Sequence, residues 1–141
     1  MERYPLFWLL CVCAFTGCVT VSELRASSPV RVGTVGGSYL TLATCVMENM
    51  GKNQAVEGMI YQFSDARTVK IANIVATANF PAGLFYTAPA PLLDLSFRQA
   101  DQETVKIEAR RSFPGSALEL RAWPIIEQCA GRTVAVSPSL S

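Results

Sequence analysis

The 141-residue chain contains no histidine. That absence removes the commonest base near neutral pH and the imidazole that would complete a zinc site or activate a thiol, so neither a metal centre nor a cysteine nucleophile is expected. Charge is scarce as well: Asp, Glu, Lys and Arg make up 16% of the residues, and the formal net charge is +1. Without a basic field there is nothing to hold a phosphate backbone, and nucleic acid is not an expected partner. What is abundant is apolar surface, at 50% of residues. A chain this hydrophobic can bury enough area to offset its ordering entropy, so it folds, and its length suits one domain.

Three of the five cysteines stand at Cys11, Cys13 and Cys18, inside the opening segment MERYPLFWLLCVCAFTGCVTVSEL. Residues 1–5 carry Arg3, partly offset by Glu2. Leu6 to Phe15 is uncharged and apolar, too short for a spanning helix of about 20 residues and well matched to the hydrophobic region of a signal peptide. Phe15-Thr16-Gly17-Cys18 then resembles the lipobox of bacterial lipoproteins, with Phe15 where that family usually has leucine. The resemblance covers the leader alone. It implies cleavage after residue 17, lipidation of Cys18 and attachment to a membrane through acyl chains, each buried methylene contributing about 0.8 kcal/mol. No aspartate follows Cys18, which by the same resemblance implies the outer membrane with the domain facing the periplasm. An ordinary secretion signal, or a single anchor from Tyr4 to Val21, is the plainer alternative. On this reading residues 1–17 are leader, 18–29 a polar tether, 30–132 the domain and 133–141 a flexible tail.

Cys11 and Cys13 would leave with the leader, and lipid would block Cys18. The remaining pair, Cys45 and Cys129, is even in number and bound for an oxidising compartment, so a disulfide is expected. Their separation is 129 − 45 = 84 residues.

Within the domain the hydrophobic period changes twice. Tyr39, Leu42, Ala43, Val46, Met47 and Met50 recur at three-and-four spacing, a helical stripe that begins after GTVGGS with Ser38 as N-cap and stops at Gly51. The glycines invite a phosphate-loop reading, but no lysine or Walker-type spacing follows. Met47, Met50 and Met59 read as packing side chains rather than a soft-metal site. Two hairpins follow. In the first, Met59, Tyr61 and Phe63 alternate with Ile60 and Gln62, and residues 64–67 turn into TVKIANIV. In the second, Leu93, Leu95 and Phe97 answer Val105, Ile107 and Ala109. Leu118, Leu120 and Ala122 also alternate, so SALELRAW reads as a strand, with a short helix from Pro124 to Ala130 closed by Gly131. The expected fold class is α+β: an antiparallel sheet of about four or five strands, with an N-terminal and a short C-terminal helix on one face.

Between the hairpins lies ANFPAGLFYTAPAPLL, too rich in proline for a strand and unusually apolar. Phe80, Leu84, Phe85 and Tyr86 could form an exposed anchor for a partner, or the loop could fold back and cap the core. The cap is the expectation, and the four residues are the candidate contact site if it fails. Asp94, Glu103 and Glu108 fall on an outward face, where solvated charge explains them better than catalysis, and Arg110-Arg111 reads as a charged strand end in water. No cofactor is implied. The leading functional reading is a non-catalytic envelope lipoprotein that acts as an adaptor or structural component of a membrane-associated assembly. Its alternatives are a carrier of an apolar ligand and, more remotely, a small carboxylate-dependent hydrolase.

Overall fold

Phe97 lies opposite Ile107 and Leu95 opposite Ala109, and all four side chains are buried, so the hairpin read from their alternation forms with its apolar face inward. The computed structural model describes residues 19–52, 59–81, 83–112, 116–131 and 135–137. In chain order the elements are α1 (Val21–Ala26), β1 (Arg31–Gly36), α2 (Tyr39–Lys52), β2 (Met59–Ala66), β3 (Ile71–Pro81), β4 (Thr87–Gln99), β5 (Thr104–Arg111), α3 (Ser116–Ala130) and β6 (Ala135–Ser137). The strands make one antiparallel sheet in the order β2-β3-β4-β5-β1-β6. The α+β class is thus observed, with five longer strands and a three-residue edge strand. That edge strand lies in the expected C-terminal tail: Val32 pairs with Ser137 and Thr34 with Ala135.

Helices α2 and α3 cover one face. Tyr39, Leu42, Ala43, Val46 and Met50 from α2 meet Leu118, Ala122, Trp123 and Ile126 from α3 over Ala72, Ile74, Leu93, Leu95, Phe97, Val105 and Ile107. Each such aliphatic side chain, fully buried, contributes roughly 1.5–3 kcal/mol. Met47 and Met59 pack at the margin of this core, as expected for methionines that fill gaps. The disulfide between Cys45 and Cys129 joins α2 to α3, with Cα atoms 5.9 Å apart.

Three expectations are corrected. Ser116 to Trp123 is helix, continuous with the segment after Pro124. The buried positions Leu118, Glu119, Ala122, Trp123 and Ile126 follow a helical spacing, and the run of helix-forming residues outweighs a short alternation that arose by coincidence. Pro124 is tolerated because it and Leu120, whose carbonyl its ring displaces, lie on the exposed side where water can solvate that group. α2 runs through Gly51 to Lys52 rather than stopping at the glycine. Finally, part of the expected tether is a docked helix. In α1 Thr20 and Glu23 form a capping box, and Leu24 is buried on the sheet face opposite α2 and α3.

Candidate functional site

Residues 79–81 and 87–93 are strand, on either side of a turn that includes residues 83–86. β3 and β4 pair without a break from Thr77 opposite Pro91 to Pro81 opposite Thr87. The expectation that prolines forbid a strand fails for a positional reason. β5 ends at Arg111, opposite Leu93, and β2 begins at Met59, opposite Ala78, so among the described residues the distal part is a two-stranded ribbon without an outer strand. Proline is excluded from central strands because it breaks a ladder. On an edge-like ribbon its cost is small.

A β-bulge marks where the ribbon leaves the sheet. Ala76 faces Leu93 but Thr77 faces Pro91, leaving Leu92 as an extra residue. Leu92 and Leu93 consequently both reach the core, which a regular strand would not allow. Beyond the bulge the turn projects its apolar side chains into solvent. Leu84 is 94% exposed, Phe85 97%, Tyr86 65% and Phe80 40%. The cap reading is therefore overturned, and the four candidate residues share one protruding tip. Tyr86 lies across Gly83: a Cβ at residue 83 would sit 2.6 Å from its ring, so the glycine permits the close approach.

Near the ribbon, Ile60 and Phe63 on β2 are also partly exposed. A cleft of about 520 Å3 lies beside them, lined by Val21, Arg25, Gln62, Phe63, Ser64 and Val75. It is where α1 crosses the outer face. There Arg25 Nε contacts Asp94 Oδ1 at 3.2 Å, and Arg110 Nε donates to the Ser27 carbonyl at 2.9 Å.

The expected solvated carboxylates divide. Asp94 is fully buried beneath α1, and its Oδ2 has no partner among the described residues. Burial pushes its carboxyl above the usual range, against the pull of Arg25 and Arg110. Burial alone would raise Glu108 too, but hydrogen bonds from Lys106 and Arg110 hold it lower. Glu103 is exposed at the opposite end of the sheet. The three do not converge, and Arg110 and Arg111 are not free strand ends: Arg111 is 3.5 Å from Glu119, which also meets Arg31 at 2.9 Å. That buried Glu119, with Arg31 stacked 5.0 Å above Trp123, had no signal in an alternating reading of SALELRAW.

The glycine turn before α2 opens on a cleft of about 660 Å3 lined by Gly36, Gly37, Ser38, Tyr39, Lys70 and Gln99 among others. Gly37 adopts a φ of 121°. Its geometry serves the helix rather than a phosphate. Gln99 Oε1 accepts from the Tyr39 N–H at 3.0 Å, while its Nε2 donates to the Gly37 carbonyl, so Gln99 supplies the cap expected from Ser38.

Cys18 lies outside the described residues. Among the described residues no helix is long and apolar enough to cross a membrane. The sequence matches no family model, and no curated protein or solved structure matches it.

Proposed function

We propose that this protein is a non-catalytic, lipid-anchored component of the cell envelope that serves as an adaptor or structural component of a membrane-associated assembly and exposes a contact surface at the β3–β4 tip. The observation that carries this reading is the exposure of Leu84, Phe85 and Tyr86 at the end of a ribbon that extends past the paired ends of β2 and β5. Isolated apolar residues on a surface mean little, but a contiguous group on a projecting turn favours a contact site. A disulfide between α2 and α3 agrees with an oxidising compartment. The carrier alternative asks for space between helices and sheet, where Leu93, Leu95, Phe97, Ile107 and Ile126 instead fill the layer.

The test is metabolic labelling with a clickable palmitate analogue, followed by membrane fractionation of the wild type and Cys18→Ser. The wild type should carry label and sediment with membranes, and the variant should lose both. Equal, unlabelled behaviour of the two proteins would sink the anchored reading.

A further inference from the structure

We infer that the occupant of the β3–β4 tip is the interfacial layer of a phospholipid bilayer, so that the domain touches the membrane at a second point. This rests on the reading of the tip as the contact surface and names what it contacts. From Ile71 to Leu93 no residue carries a formal charge, and none does from Met59 to Ser64 on the neighbouring strand. A protein-docking site ordinarily combines an apolar centre with a polar, charged rim. Neither strand of the ribbon nor residues 59–64 beside it supply such a rim, and an uncharged ribbon is what a bilayer accepts most readily.

The backbone fits the same occupant. A two-stranded ribbon has unpaired outer edges, each N–H of which resists transfer out of water. Pro81, Pro89 and Pro91 remove three such donors from this ribbon. The turn itself retains ordinary amides at Gly83, Leu84 and Phe85, which limits entry to the headgroup and upper acyl region. Tyr86 suits that depth, since its ring is apolar while its hydroxyl can stay wet.

The entry of the chain into the fold agrees. Val21 of α1 lines one cleft with Gln62 and Val75, and Val75 lies six strand residues from Pro81, about 20 Å along β3. With α1 docked, only Val19 separates Cys18 from the capping residue Thr20. A lipid on Cys18 would therefore hold the β2–β3 edge close to the surface, with the tip within reach of the same leaflet.

The experiment reconstitutes the lipidated protein extracted from membranes, wild type and Phe85→Trp, into vesicles of phosphatidylethanolamine and phosphatidylglycerol, with and without brominated acyl chains. Trp123, the one tryptophan after the leader, contributes equally to both proteins, so the difference spectrum reports the indole at position 85. We expect that emission to shift to shorter wavelength on vesicles and to lose intensity with brominated lipid, and both effects to vanish when Leu84→Asp is added. Emission that stays water-like and unquenched while the protein floats with the vesicles overturns the inference and spares the anchored reading. Failure to float overturns both. In cells, a photo-crosslinking residue at position 84 should yield a phospholipid adduct, and a protein adduct there would overturn the bilayer as occupant.

Discussion

Replacing Cys45 and Cys129 together by alanine removes the covalent link between α2 and α3 while leaving the side chains packed between them in place. The effect is therefore expected mainly in the unfolded chain, where the bridge closes a loop of 84 residues. In the chain-entropy account such a loop is worth about 4.5 kcal/mol. Against a total stability of about 5–15 kcal/mol for a domain, that is a large share. With a urea slope of about 1.5 kcal/mol/M for a chain of this size, the midpoint should fall by about 3 M. The assay is urea unfolding followed by far-UV circular dichroism on oxidised wild type, reduced wild type and the double variant. The reduced protein and the double variant should coincide, well below the oxidised protein and with a similar slope. If all three unfold at the same urea concentration, the bridge does not restrict the denatured ensemble and the reasoning is wrong.

Other outcomes follow from the outer face and the tip. The folded chain holds the Asp94 proton more tightly than the unfolded chain, so this group's contribution to stability is greatest below an unfolded value near pH 4 and declines as pH rises through the folded value. Asp94→Asn should flatten that decline and match or exceed the wild type at pH 7; a loss beyond about 1 kcal/mol would mean that the Arg25 contact outweighs burial. Glu108 has the opposite sign: its stabilisation is present at neutral pH and is lost as pH falls through its lowered folded value, so Glu108→Gln should cost about 1 kcal/mol at pH 7 and little in acid. Leu24→Ala should cost about 2 kcal/mol in urea unfolding and raise amide exchange in residues 21–26; unchanged exchange would show that α1 does not depend on its buried leucine. Phe85→Ser should leave stability within about 0.5 kcal/mol, since the ring touches little of the fold, and a larger loss would mean that the tip has a structural role.

How far the fold could be read from the chain depended on whether local pattern and tertiary setting agreed. α2 and the β4–β5 hairpin were legible because their apolar stripes match their periods and each faces a single core. The first half of α3 was not, because Leu118, Leu120 and Ala122 alternate over too few residues to separate a strand from a helix, and Pro124 looked like a boundary. α1 did have a signal, the Thr20 and Glu23 capping box, but its brevity and polar neighbours favoured a tether. The tip residues were identifiable by composition. Their exposure was not, because it depends on where β5 stops, which no local pattern in residues 79–91 encodes. Asp94 was placed on the correct side of its strand, yet nothing near it in sequence announces the helix that covers it.

The extra residue at Leu92 sits where the ribbon departs from the sheet, and bulges add local bend and twist. From Thr77 to Pro81 the ribbon extends for about 13 Å before the turn, at the usual rise per residue. A rotation of about 10° at this pivot would sweep its end through about 2 Å. A single inserted leucine thus sets the aim of a lever arm, so deleting it should redirect the apolar end without altering one side chain there.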